Sequence, residues 1–230
     1  MNIKIYTNRV EGGWKPQQVK DGGVGGSEEM LVMWAEYMAK DGNKVEVYMN
    51  GFVGGYGNVE YFAHDQFNRF ERCDLFISFK AKNILEGSIN AEKIIHWSHE
   101  SESLAFVVNN LDYIVCLTEY HAGIIKSALD KKHHKKIRVI GNFIDPDEFK
   151  VSRDIKEYSA LYCSSPDRGL SDLLVDFDLI NSRLGLDKLY ITYGFDQYLK
   201  IQKNNNKAQR FVKDCMEVIG DHSKIEYLGS

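Results

Sequence analysis

The chain has 230 residues, with 33 acidic and 29 basic side chains, a formal net charge of −4 and 43% hydrophobic residues. That apolar share excludes a disordered or fibrous chain, and the near-balanced charge gives no electrostatic footprint for binding nucleic acid. At roughly 150 residues per domain, the length predicts one large domain or one and a half ordinary ones.

The opening MNIKIYTNRV places Lys4 and Arg9 in a short alternating run without the long apolar core of a secretory signal, and reads as a first strand over 2–7. A glycine-rich loop follows, and from Ser27 the residues Met30, Met33, Trp34, Tyr37 and Met38 recur at helical spacing. Asp41-Gly42-Asn43 stops that helix, and KVEVYM (44–49) supplies a second strand. Further strands are expected at 74–79, 93–97, 113–117 and 137–140, with a helix over 118–130. After a polar linker at 151–158 the alternation restarts: strand 158–163, helix 169–184, strand 189–195, helix 206–219, strand 224–229. Strands alternating with helices predict an α/β chain with parallel sheets. The expected domains are a doubly wound, Rossmann-like unit over 1–152 and a partial second one over 153–230.

Cys73, Cys116, Cys163 and Cys215 form no CxxC pair and read as reduced thiols, which predicts a cytoplasmic chain. No run approaches ~18 apolar residues, so no bilayer-spanning segment is expected, while peripheral membrane contact stays open.

Four stretches carry polar chemistry at strand ends. Gly22-Gly23-Val24-Gly25-Gly26-Ser27 lies between the first strand and first helix, where residues without Cβ let backbone N–H groups approach a ligand. Its structural alternative is a turn that starts a helix capped by Ser27. Glu28 and Glu29 in the first turn would repel a phosphate, which favours a sugar or acceptor there. His96-Trp97-Ser98-His99-Glu100 ends a strand, where open α/β sheets place ligands, and Ser98, His99 and Glu100 are suited to contact a hydroxyl. The alternative is one core and one surface histidine; HxxH without a third ligand is a poor zinc site. Lys131-Lys132-His133-His134-Lys135-Lys136 follows a helix and reads first as a solvated turn, with contact to anionic lipid as the other reading. Ser164-Ser165-Pro166-Asp167-Arg168-Gly169 again joins strand to helix, with Arg168 placed for a bidentate phosphate contact or for a salt bridge to Asp167 or Asp172. No metal cluster and no resident cofactor are expected.

In this order, the glycine loop, the stretch Ile94 to Glu100, the passage Arg138-Val139-Ile140-Gly141-Asn142-Phe143-Ile144-Asp145-Pro146-Asp147-Glu148-Phe149 and the stretch Ser164 to Leu170 resemble the retaining nucleotide-sugar glycosyltransferases of the GT-B fold, family 4-like. The resemblance implies transfer of a hexose from a nucleotide diphosphate sugar, a co-substrate, to a glycan, lipid or protein acceptor. By position it implies His99 at the reaction centre and Gly25, Gly26, Ser27 and Arg168 on the donor's phosphates. Ser98, Glu100 and Asn142 would contact sugar or acceptor. Two departures stand out. Ser164 or Ser165 stands where the family has an Arg, with Arg168 in place of its Lys. The family's second domain also runs on through more strands and a Glu-containing motif, whereas this sequence reaches Tyr227-Leu228-Gly229-Ser230 just after a third strand. The expectation is therefore an incomplete donor domain, completed in one reading by a partner chain. A binding module without turnover is the alternative; a nicotinamide enzyme is disfavoured by the lack of a placed GxGxxG with its acidic residue.

Overall fold

The computed structural model describes residues 1–9, 13–21, 24–144, 158–192, 194–202 and 205–229. The chain divides into two compact units, Met1–Pro146 and Asp147–Ser230. The expected junction at 152/153, the linker at 151–158 up to residue 157, and the stretch Asp145 to Phe149 of the third motif lie outside the described residues, as do Gly22 and Gly23.

The first unit runs β1 (Asn2–Thr7), α1 (Gln18–Asp21), α2 (Gly26–Lys40), β2 (Lys44–Met49), β3 (Gly54–Tyr56), β4 (Val59–Ala63), β5 (Cys73–Phe79), β6 (Ala91–Trp97), β7 (Tyr113–Cys116), α3 (Glu119–Ser127) and β8 (Ile137–Val139). Its eight strands form one sheet in the order β3-β4-β2-β1-β5-β6-β7-β8. Every pairing is parallel except the β3–β4 hairpin. One face buries Ile3, Ile5, Val47 and Phe79 under Met30, Leu31 and Ala35 of α2. The other buries Phe76, Ile114 and Cys116 under Leu104, Val108, Ala122 and Ile125. Parallel strands covered on both faces give the expected doubly wound α/β architecture.

Register in the centre of the sheet is marked by a polar pair. Lys4 is fully buried, and its Nζ lies 3.7 Å from Glu46, its partner across the β1–β2 ladder, and 2.6 Å from Glu71. A one-residue slip would turn that ammonium onto the apolar face under α2.

The β3–β4 hairpin is an addition to the expected alternation. Glycines here serve the backbone: Gly51 has φ +106°, and a Cβ on it would meet the Trp14 backbone N at 2.5 Å. The basic run forms a 3₁₀ turn, Lys131–Lys136. Lys136 donates from Nζ to the carbonyls of Val108 (2.9 Å) and Leu111 (2.5 Å), and His133 is buried, so the run is tied into the unit as a turn.

The second unit runs β9 (Ser159–Tyr162), α4 (Leu170–Leu184), β10 (Lys188–Ile191), α5 (Phe195–Ile201), α6 (Asn206–Asp221) and β11 (Ile225–Tyr227), with a parallel sheet in the order β11-β10-β9. Leu170, Leu174, Phe177, Leu189, Ile191, Cys215 and Ile225 form its core. The strand expected over 189–195 ends at Ile191, because Gly194 caps α5 and the Phe195 N–H donates to the Tyr227 hydroxyl at 3.0 Å. Among the described residues no helix is long and apolar enough to cross a membrane.

Candidate functional site

The chain leaves β1 through α2 to β2 on one side and places β5 on the other side of β1. At such a reversal the loops after the two strands splay apart and open a crevice at their carboxyl ends. A cavity of about 760 Å³ lies there, lined by Thr7 to Arg9 at the end of β1, Lys80 to Ile84 after β5, and Glu100 to Ser103 after β6.

Beside it, α2 begins on Gly25, which adopts an extended cap conformation (φ −61°, ψ 143°) with no side chain capping the helix. The cap is thus Gly25 rather than Ser27, because the Ser27 hydroxyl is otherwise engaged. It donates to Oε2 of Glu28 at 2.9 Å and accepts from the Lys80 ammonium at 3.1 Å. Glu28 is buried, with its carboxylate over Gly25: a Cβ built there would lie 2.3 Å from Oε2. A Cβ on Gly26 would meet open space.

Lys80 is the cation that holds this corner. It donates to Oε1 of Glu28 at 3.2 Å and lies 3.7 Å from Oε1 of Glu100. Its φ of +57° is the one left-handed value among described non-glycine residues. A lysine in that region is strained by its Cβ, so the surrounding structure holds it there.

His99 packs its ring against Phe79 (4.8 Å between centroids) and Trp97 (5.7 Å). Its Nε2 is buried without a hydrogen-bond partner. Burial first, then the Lys80 charge, push its pKa down to about 4. At neutral pH it is an uncharged imidazole.

Behind it, on the other face of the sheet, runs a buried polar brace. The Ser78 hydroxyl donates to the Ala81 carbonyl at 2.8 Å and lies 3.2 Å from Nδ1 of His96. Nε2 of His96 donates to Glu102 at 2.7 Å. Glu102 also lies within 3.1 Å of the Ser98 hydroxyl, and its pKa falls: burial opposes the shift, but the His96 bond, the Ser98 bond and Lys82 outweigh it. His121, at the start of α3, reaches the Glu100 carbonyl at 3.0 Å. Ser98 is fully buried in this brace and faces protein. The brace fixes the turn that carries His99 and Glu100.

Ser27, His99 and Glu100 therefore converge around Lys80, with Gly25 under the Glu28 carboxylate. Asn142 is exposed beyond the end of β8. Arg168 belongs to the second unit, exposed in a turn closed by its N–H to the Ser165 carbonyl (2.9 Å), and it makes no ion pair among the described residues. Lys80 and Glu102 escape a reading of the sequence, since neither falls in a patterned stretch. Among the described residues no three His, Cys, Asp or Glu side chains gather to hold a metal ion.

No protein-family model matches the sequence, and no curated protein does. Solved structures do match. Sucrose-phosphate synthase from Thermosynechococcus elongatus is similar over the whole of this chain and 71% of its own, with a TM-score of 0.63 and 11% identity. The catalytic domain of starch synthase IV from Arabidopsis thaliana covers the same span with 74% of its own chain, at 0.58 and 9%. The lipopolysaccharide outer core galactosyltransferase WaaB matches over 68% of its chain, at 0.56 and 13%. The chain has the GT-B fold. Within a GT-B chain, the corner around Lys80 belongs to the first of the two Rossmann-like units, and Arg168 to the second, which has three strands among the described residues.

Proposed function

We propose that the chain transfers a hexose from a nucleotide diphosphate sugar to a glycan, lipid or protein acceptor. The observation that carries this reading is His99, a neutral imidazole with a buried, unpartnered Nε2 in the turn after β6. Neutral imidazole offers a hydroxyl one donor and one acceptor without adding charge to the site. Glu100 and the Glu28–Lys80 pair supply further partners for hydroxyls. Breaking a glycosyl–phosphate bond builds negative charge on the leaving oxygen, and an arginine such as Arg168 would stabilise it. The reading needs neither a metal nor a resident cofactor. The four cysteines are free, which supports a reducing, cytoplasmic setting.

The experiment is a screen of UDP-, GDP- and ADP-hexoses with glycan acceptors, read by mass spectrometry. A hexose added to an acceptor by the wild-type chain, and lost in His99→Ala, supports the reading. Donor binding without any transfer favours a second one: a sugar-binding module, or one half of a split enzyme that a partner chain completes. The chain accounts for 68% to 74% of the matching glycosyltransferase chains. Transfer that appears only when the rest of a GT-B second domain is added in trans would select the split enzyme.

A further inference from the structure

The glycine-rich start of α2 is the feature of the first unit most suited in principle to a phosphate, because free N–H groups and the helix dipole favour an anion. Here it already holds one. The Glu28 carboxylate lies over Gly25, accepts from the Ser27 hydroxyl at 2.9 Å and takes the Lys80 ammonium at 3.2 Å. The side chains of this pair are 11% and 13% exposed, so neither charge is freely solvated.

Charge bookkeeping around the pair points away from phosphate. Lys80 stands between two carboxylates, Glu28 and Glu100. Those three groups sum to −1, and the adjoining His99 adds nothing. Of the other cations lining the cavity, Lys82 lies 3.6 Å from Glu102, and Arg9 keeps its charge beside the neutral Tyr6 hydroxyl, with no ion pair to Glu28 or Glu100 among the described residues. A phosphate entering beside Gly25 would meet a net negative, partly desolvated corner, where like-charge repulsion is strong. A neutral polyol would meet acceptors on Glu28 and Glu100, a donor on Lys80, and the vacant Nε2 of His99. Trp97 adds a second buried and unpartnered atom, Nε1, in the same strand end. Adjacent hydroxyls of a hexose each need one acceptor and can each take one donor, which is the set present. The strained φ of Lys80 fits this use, since strain retained at a strand end marks a residue held for a contact rather than for stability.

We infer that Glu28 and Lys80 are the specificity pair of this site: they read adjacent hydroxyls of a neutral sugar and keep phosphate out of the start of α2. The inference deepens the proposed transfer and rests on it for the choice of hexoses as ligands. It assigns the glycine loop to sugar and leaves donor phosphates to other residues.

The test follows the His99 ring signals of the full chain by NMR, with glucose, galactose, mannose and sodium pyrophosphate as probes. In the wild type at least one hexose shifts these signals and pyrophosphate leaves them in place. Glu28→Gln keeps the shape and removes the charge; it weakens the hexose about ten-fold, the loss of one charge-assisted hydrogen bond, and lets pyrophosphate shift the ring. Lys80→Met weakens the hexose by a similar factor, and Lys80→Arg restores part of it, which separates the lost charge from a folding defect. The inference is overturned if pyrophosphate moves the signals in the wild type, if no hexose does, or if Glu28→Gln leaves hexose affinity unchanged. The readout is binding alone. A chain that behaves this way yet transfers no sugar keeps the pair and loses the transfer reading.

Discussion

The ammonium of Lys80 donates to Glu28 across 3.2 Å, joining the end of β5 to the start of α2 over 52 residues of sequence. The first follows β5 and the second follows β1, the neighbouring strands at the reversal in sheet order, so this contact closes the corner in which His99 stands. Its geometry explains why one lysine is kept in a left-handed conformation that glycine would adopt without strain.

Lys80→Gly weighs the strain against the ion pair. Relief of the left-handed strain, on the order of 1 kcal/mol, is outweighed by leaving the buried Glu28 carboxylate without its cation, a cost of about 3 kcal/mol. Urea denaturation should therefore place the variant about 2 kcal/mol below the wild type, and any hexose-induced shift at His99 disappears. Lys80→Met should also raise the His99 pKa from about 4, because the neighbouring cation that helps to depress it is gone; an NMR titration reads this directly.

Stability should depend on pH through the same ring. Its folded pKa lies below its ordinary value, so the unfolded chain binds the proton first as pH falls. The native state then loses stability from about pH 6.5 down toward about pH 4, and gains nothing further above that window. Glu102, whose pKa is lowered, also costs stability as pH falls, at lower pH. The difference in Tm between wild type and His99→Phe across this range isolates the histidine: the variant should show the shallower slope.

Glu102→Gln tests the brace. The ring nitrogens of His96 contact the Ser78 hydroxyl and the Glu102 carboxylate, and the ring is fully buried. Removing the carboxylate's charge should destabilise the first unit by about 2 kcal/mol, the scale of a buried hydrogen bond to a charged group. Equilibrium unfolding measures it.

Gly51→Ala should be more damaging than most single changes. A Cβ at φ +106° would be strained, and it would press on backbone, 2.5 Å from the Trp14 N and 2.7 Å from its O. A loss of about 3 kcal/mol or more is expected, read as a fall in the urea midpoint.

The alternation of strand and helix, and with it the α/β architecture, was legible because apolar runs such as NIKIYT and DLFISF are separated by helical spacings. His96 to Glu100 stood out for the same reason, as a polar cluster at a strand end. Lys80 did not, because nothing in Phe79-Lys80-Ala81-Lys82 marks a residue whose partner lies 52 positions earlier. The β3–β4 hairpin hid in a glycine-rich passage, although the run Val59-Glu60-Tyr61 and the turn before it have hairpin character. Ser27 reads as a cap by residue type, but Glu28 and Lys80 draw its hydroxyl away and leave Gly25 in that place. In the second unit, the apolar run to Phe195 looks like one strand until Gly194 turns it into α5.

The most direct test of the central claim is the rate of hexose transfer by His99→Ala against the wild type, with kcat and KM separated. The account predicts a fall in kcat of about 100-fold with KM changed much less, since the contact is made where the reaction occurs. An unchanged kcat, or an effect confined to KM, would contradict it.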